Sequence, residues 1–365
     1  MLKRHKFPLF GVLVAAIVVI AGLGSYALAQ SGDSGQAPAT QSDGTSRHVD
    51  YDVNLQVTGD LSAVSPKLQG ILPLNLEATG SADVQKGDNG PQVQGNLQLS
   101  GVEAIVQKLT AGNGGGGNAA LGGLVNGALS DLQFVAIDKD IYVKLGGAWY
   151  DTGSLEGHKC HKPGAEKPGD TAKPDKAAIA AAFPGGPKAL LKDVRTVGQE
   201  DIDGVTAIHT SATVDIAKAL TEASTAARNA GKTAEADRLD AARSQIVGAV
   251  KQVNLDWWID GSGNPVQAKA AVEINPSSLA GLVPQKAGGT DSARIDSVLK
   301  GITSVKLDAT VKFSHFGESF QIAKPDGAIT PLKDLIGTLG VHKGGNDSGQ
   351  PGGHRGRGTG TSTNG

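Results

Sequence analysis

The sequence is poor in cysteine, methionine and aromatic side chains. Among 365 residues there is one cysteine, and aromatic residues make up 4%. A single cysteine excludes an internal disulfide framework and a zinc site built from four cysteines. The formal net charge is only −2, and nucleic-acid binding requires clustered basic residues. No nucleic-acid partner is therefore expected.

Glycine and aliphatic residues are plentiful by contrast. The chain has 52 glycines, and hydrophobic residues make up 39% of it. That apolar fraction is large enough for a packed core, so disorder of the whole chain is not expected.

The N-terminal end has the features of an export signal. Basic residues from Lys3 to Lys6 precede a stretch, Phe7 to Leu28, without any charged residue. Ala27-Leu28-Ala29 then matches the small-x-small pattern of a cleavage site. Residues 1–29 are predicted to be either a signal peptide that is removed or a retained membrane anchor, since the stretch could span a hydrocarbon core of about 30 Å. The protein is expected at the outer face of the cytoplasmic membrane, in the cell envelope, or secreted.

Composition divides the remaining chain into one domain with two loose ends. Residues 30–47 and 342–365 are rich in Gly, Ser and other small polar residues, which predicts a disordered linker and a disordered tail. Residues 48–341 are predicted to form a single domain. Within it, the glycine-rich 111–127 and the Lys/Pro/Gly-rich 153–176 are predicted to be flexible loops.

Apolar residues alternate through most of this domain. Val49 to Val57 is apolar at every second position, as in a half-buried strand. The same period recurs in segments 72–78, 93–99, 132–134, 141–145, 253–259, 266–272 and 305–313. Short turn sequences such as Asp203-Gly204 separate many of them. These links predict antiparallel hairpins, because parallel strands need longer crossover connections.

A helical period appears in fewer places. Asp215 is a candidate N-cap for one helix, and Thr233 to Val250 is predicted to form a second. A shorter helix is predicted around Lys188 to Asp193. The fold class is therefore α+β, a curved antiparallel sheet with helices on one face.

No group of residues supports catalysis. His158 to His161, which includes Cys160, is the densest set of metal-ligand types, but it lies in a loop that offers no fixed fourth ligand. His209 and His315 have no nucleophile in a recognisable elbow. Gly114 to Gly117 lacks the Lys-Ser/Thr of a phosphate loop. We expect no enzyme activity, no metal and no cofactor, and the role of Cys160 stays open.

An acidic run and a pair of neighbouring tryptophans are interpreted as parts of strands and hairpins and not as a catalytic site. Glu200, Asp201 and Asp203 form an acidic run, for which a charged hairpin is favoured over acid–base catalysis. Trp257 and Trp258 are neighbours in a strand and must point to opposite faces. The alternation places Trp257 inward and leaves Trp258 for solvent or a membrane interface.

Four segments resemble hairpins of the LppX/LprG-type lipoproteins of actinobacteria. Val194 to His209 resembles the family pattern G-x-E-x-V-D-G-V-x-x-x-H, with Ile202 in place of the valine. The other three segments follow in order: Ile141 to Tyr150, Leu255 to Val266, and Phe313 to Gly317 with Ile322 to Pro325 as a closing strand pair. Together they imply a family domain from about Val49 to Leu335.

The resemblance implies a fold and a function. The fold would be a LolA-like half-barrel of antiparallel strands wrapped over a few helices and enclosing an apolar cavity. The function would be binding of an acylated lipid or glycolipid and its transfer between membrane and cell envelope. The cytoplasmic membrane and a membrane transporter are the implied partners, and the chain is expected to be a monomer. Lipidation is not expected, since Tyr26 stands where a family lipoprotein has its cysteine.

The predicted cavity is lined by inward-facing apolar residues of strands and helices. They are Leu72, Leu74, Leu76, Ile216, Leu220, Ile246, Val253, Leu255, Trp257, Leu307, Val311 and Phe313. Two alternatives stay open: a sensor or regulatory ectodomain of the same fold, and a surface protein in which these residues fill a closed core.

Overall fold

The computed structural model describes residues 46–65, 68–88, 90–103, 131–138, 140–152, 187–282, 290–332 and 334. The predicted leader 1–29, the loops 111–127 and 153–176 and the tail 342–365 lie outside these residues, as do Tyr26 and Cys160. Residues 30–45 of the predicted linker lie outside them too, and its last residue, Arg47, begins the first strand. Among the described residues, no helix is both long and apolar enough to cross a membrane.

Twelve strands of the described chain form one sheet. They are β1 (Arg47–Gly59), β2 (Leu74–Gly87), β3 (Gly90–Ser100), β4 (Leu132–Ile137), β5 (Asp140–Leu145), β6 (Ala148–Asp151), β7 (Leu191–Ile202), β8 (Val205–Val214), β9 (Val250–Asp260), β10 (Pro265–Ile274), β11 (Ile302–Ser314) and β12 (Ile329–Pro331). Their order across the sheet is β12-β6-β5-β4-β3-β2-β1-β11-β10-β9-β8-β7.

The sheet is open and almost wholly antiparallel. Neighbouring strands pair antiparallel, except that β12 lies parallel to β6. The pairing of β1 with β11 joins an N-terminal half, β2 to β6 with β12, to a C-terminal half, β7 to β10. The predicted α+β fold with an antiparallel sheet is confirmed.

Three α-helices of the described chain accompany the sheet: α1 (Ile216–Asn229), α2 (Thr233–Ala249) and α3 (Thr290–Gly301). The predicted N-cap of α1 is confirmed, because the Asp215 carboxylate accepts a hydrogen bond from the Lys218 backbone N–H at 2.9 Å. The helix predicted around Lys188 to Asp193 is wrong. A 3₁₀ turn, Pro187–Leu190, leads directly into β7, since the residues from Leu191 onward pair with β8.

Small residues bring α1 and α2 close together. Ser224 of α1 and Ala236 of α2 are almost completely buried. Arg228 of α1 donates to the Ser224 hydroxyl at 3.0 Å and forms ion pairs with Asp237 and Asp240 of α2. Both α2 and α3 contact a second 3₁₀ turn, Pro276–Leu279, which follows β10. The helices therefore gather beside the end of β10.

The two faces of the sheet differ in composition. Strand register places the alternating apolar residues on one face, here called the aliphatic face, whose centre is the buried cluster Val53, Ala78, Leu99 and Ala309. The other side is called the opposite face. It carries a second cluster in which Trp258 packs with Ala207, Val266 and Ile202.

After β11 the chain crosses the opposite face before it forms β12. Residues 315–328 contain neither helix nor strand. The Phe320 backbone N–H donates to Gln85 Oε1 at 3.0 Å, and Lys324 Nζ lies 5.3 Å from the centre of the Tyr142 ring. The closing strand expected at Ile322 to Pro325 is therefore misplaced, and the last strand of the described residues is β12.

Candidate functional site

The register brings the predicted strand residues onto the aliphatic face. Leu74 and Leu76 of β2 lie opposite Val57 and Leu55 of β1, and Leu55 lies opposite Leu307 of β11. Val311 and Phe313 follow Leu307 along β11 at even steps, so their side chains share its face.

The three predicted residues of β9 reach the same face through β10. The pairs across β9 and β10 are Val253 with Val272, Leu255 with Ala270, and Trp257 with Ala268. In turn, Val272, Ala270 and Ala268 lie opposite Leu307, Ala309 and Val311 of β11. Eight of the twelve predicted residues therefore share one face, and Leu72 precedes β2 outside the ladder.

Side-chain size changes from row to row across this face. One row consists of Ala78, Val53, Ala309, Ala270, Leu255 and Ala212, and all but Leu255 are buried. The adjacent row consists of Leu76, Leu55, Leu307, Val272 and Val253, all half-buried. The first row, which is mostly alanine, therefore projects less from the sheet than the second row. The larger side chains of the second row, here called the aliphatic ridge, keep part of their surface accessible to solvent.

Tyr51 places a hydroxyl group on the otherwise apolar inner part of β1. That hydroxyl donates to the backbone carbonyl of Asn96, reaching across Gly80. A Cβ at Gly80 would collide with both the carbonyl and the Tyr51 hydroxyl, which explains the glycine there. Burial raises the pKa of Tyr51 to about 12, so the group stays neutral at physiological pH.

The predicted helix residues lie apart from the strand set. Ile216 and Leu220 of α1 are half-buried. Ile246 of α2 lines an open cavity of about 690 Å³ together with Leu239, Ala242 and Leu282. A second cavity, of about 580 Å³, lies between residues 321–326 and β2 to β4, and its lining is mostly polar. Of the twelve residues predicted to line a lipid cavity, only Ile246 lines one of these two cavities. Contact of the twelve residues with lipid stays a prediction.

A polar cluster on the opposite face was not anticipated from the sequence. His209 of β8 has its Nδ1 2.7 Å from Glu200 Oε1 and its Nε2 2.9 Å from Asp256 Oδ1. Its ring stacks on Trp258 with centroids 4.2 Å apart, and the Trp258 indole N–H donates to Glu200 Oε2 at 2.8 Å. Lys269 Nζ lies 5.3 Å from the centre of the same indole. Hydrogen bonds from Trp258 and His209 lower the pKa of Glu200.

This cluster shows that the expected exposure of Trp258 is wrong, and it accounts for both ring nitrogens of His209. Trp258 is 4% exposed, so the prediction that it meets solvent or a membrane is wrong, although it does lie on the face opposite Trp257. Both ring nitrogens of His209 contact carboxylates, which leaves neither nitrogen free to act as a base. Within the described ranges, no group of three or more His, Cys, Asp or Glu residues could hold a metal ion.

Comparison with known proteins gives similar solved structures. No family model and no curated protein matches the chain. It is similar to LprF from Mycobacterium bovis at 16% identity and a TM-score of 0.33, over 78% of this chain and 91% of LprF. It is similar to the lipoprotein LppX from Mycobacterium tuberculosis at 14% identity and a TM-score of 0.31, over 77% of this chain and 91% of LppX.

A third similar structure is the MucA/MucB complex of Pseudomonas aeruginosa, at 10% identity and a TM-score of 0.21, over 76% of this chain and 56% of that chain. LprF and LppX are lipoproteins of the LppX/LprG type, the family that the four hairpin segments of this sequence resemble.

Proposed function

We propose that this protein is an exported carrier that binds an acylated lipid or glycolipid on its aliphatic face and moves it between membrane and cell envelope. The observation that carries this proposal is the register, which makes one continuous apolar surface from residues far apart in the chain. Along β1 from Val49 to Val57, and along the facing part of β11 from Val305 to Phe313, no residue on this face is charged.

The energetic reason is the exposed part of the aliphatic ridge. Leu55, Leu76 and Leu307 are only half-buried, so an acyl chain laid against them would remove further apolar surface from water. Each Å² of apolar surface removed from water contributes about 25 cal/mol to binding.

A binding role also fits the cluster around His209, because both of its ring nitrogens already contact carboxylates. We therefore propose a binding protein rather than an enzyme.

The test is lipid loading of the purified full chain. Organic extracts of protein from its native host are analysed by mass spectrometry, and uptake of a dansyl-labelled fatty acid is followed by fluorescence. We expect co-purified acylated lipid and saturable uptake. Absence of both would contradict the carrier proposal and favour a surface protein with a filled core.

A paired substitution locates the binding surface. Leu255→Gln puts a polar group on the aliphatic face, where Leu255 is half-buried, and is expected to weaken probe uptake about tenfold through lost apolar contact. Val205→Gln makes a similar change at a side chain that is 41% exposed, next to Ile202 of the opposite-face cluster. Uptake should be unchanged in the control. Equal uptake by both variants, at unchanged melting temperature, would show that Leu255 does not contact lipid.

A further inference from the structure

One end of the aliphatic face carries an arginine for which the described residues supply no ion-pair partner. Arg47 begins β1 and lies opposite Val84 of β2, two residues before Val49 on the same face. Its guanidinium carbon lies 6.0 Å from the centre of the Phe313 ring. The arginine therefore stands where the apolar surface of β1 and β11 ends.

The surroundings of Arg47 leave its charge only partly compensated. The side chain is half-buried, and its Nε is buried without a hydrogen-bond acceptor among the described residues. No described carboxylate lies within ion-pair distance of it, whereas His48 beside it contacts both Asp50 and Asp83. Burial lowers the pKa of Arg47, as expected when water is removed and no anion replaces it. A half-buried cation whose Nε lacks an acceptor is stabilised when an anion supplies one.

A second cation lies at the same end. Lys86 of β2 follows Val84 at the next position on the aliphatic face and is exposed. Arginine suits a phosphate or another oxyanion because its planar donors bind two oxygens at once, and lysine adds a mobile point charge. An apolar surface that ends at two cations matches a molecule with an acyl chain and an anionic headgroup.

We propose that the lipid bound on the aliphatic face is anionic and that Arg47, assisted by Lys86, binds the oxyanion of its headgroup. This inference rests on the proposed lipid binding and adds the class of lipid and its orientation. The acyl chain lies along β1 from Val49 toward Val57, across the rows, and the headgroup stays at the start of β1.

The test compares a lipid whose headgroup carries an oxyanion with a lipid of the same acyl chains that lacks one. Phosphatidylglycerol and diacylglycerol with identical acyl chains are titrated against the purified full chain by displacement of the dansyl-labelled fatty acid. We expect phosphatidylglycerol to bind at least tenfold more tightly, because a charge-assisted contact is made by one lipid and not by the other. Arg47→Gln should remove most of this preference, and Arg47→Lys should retain part of it.

Controls separate the possible outcomes. Arg195→Gln removes an arginine that is exposed on β7, far along the sheet from β1, and should leave the preference intact. Inorganic phosphate at the same concentration should not compete, and competition would assign the site to free phosphate instead of a lipid headgroup. If neither lipid binds, the carrier proposal itself fails. If both bind equally, or if Arg47→Gln keeps the preference at unchanged melting temperature, this inference is overturned and the carrier proposal stands.

Discussion

At the scale of single residues, Trp258 owes its burial to a partner from another strand. An indole N–H taken out of water needs an acceptor, and Glu200 of β7 supplies one at 2.8 Å. The same carboxylate reaches His209 through its other oxygen, at 2.7 Å. Glu200 therefore connects the edge strand β7 to both β8 and β9 by side chains, in addition to the ladder between β7 and β8.

Replacement of Glu200 should change how stability depends on pH. Hydrogen bonds from Trp258 and His209 lower the pKa of Glu200 in the folded chain below its unfolded value of about 4.3. A lowered folded pKa stabilises the protein above the unfolded pKa, and this contribution is lost as the pH falls through the folded pKa. Glu200→Gln should be less stable than the parent chain at pH 7 and should approach it below pH of about 4.

Melting temperatures measured from pH 7 to pH 3 check this prediction. Glu318→Gln is the control, because Glu318 is exposed and its carboxylate accepts no hydrogen bond from another described residue. Its curve should run parallel to that of the parent chain. A constant gap between Glu200→Gln and the parent at every pH would contradict the assignment.

Residue-scale features were the hardest to predict from the sequence. Strand alternation correctly separates Trp257 and Trp258 onto two faces, but it cannot tell which face is covered at that point. Burial of Trp258 depends on Glu200 and His209, whose positions follow from the pairing of β7, β8 and β9. Arg47 is a similar case, because the absence of an ion-pair partner for it among the described residues depends on which side chains lie near it in the folded chain.

At the scale of elements, a strand or helix could be predicted from the sequence where its pattern of apolar residues is long and regular. The long alternating segments became strands, and the even steps also fixed which residues share a face. β12 has three residues, too few to display a period, and α3 has no continuous apolar stripe, with Ile295 at 51% exposed. Lys188 to Asp193 has helix-forming composition, but pairing of Leu191 with Val214 overrides it.

Helix α1 offers a direct test of a local contribution. Asp215→Ala removes the N-cap hydrogen bond to the Lys218 N–H and should lower the free energy of unfolding by about 1 kcal/mol. Asp215→Asn keeps a side-chain oxygen at the cap and should be nearly neutral. Urea denaturation followed by circular dichroism measures both. Equal losses in the two variants would mean that the charge of Asp215, and not its hydrogen bond, stabilises the helix.

At the scale of the whole molecule, stability depends on a junction between distant parts of the chain. β1 and β11 are separated by most of the sequence, yet their ladder is continuous from His48–Ser314 to Thr58–Ser304. The buried cluster Val53, Ala78, Leu99 and Ala309 lies across this junction. Among the described strands, β7 has a neighbour on one side only, and its residues from Lys192 to Val197 are exposed. The sheet is thus most firmly held at its centre and least at the β7 edge.

Hydrogen exchange measured by mass spectrometry should reproduce this gradient. Peptides from β1, β2 and β11 should exchange slowest, because their amides open only when the central cluster is disrupted, and peptides from β7 should exchange fastest among the long strands. Val53→Ala removes apolar contact from the cluster, at a cost on the order of 2 kcal/mol, and should accelerate exchange in both halves of the sheet. Val205→Ala, at an exposed position, should leave the central peptides unchanged. If Val53→Ala accelerated exchange in β1 to β6 alone, the two halves would be independent folding units and the β1–β11 ladder would not be the element that unites them.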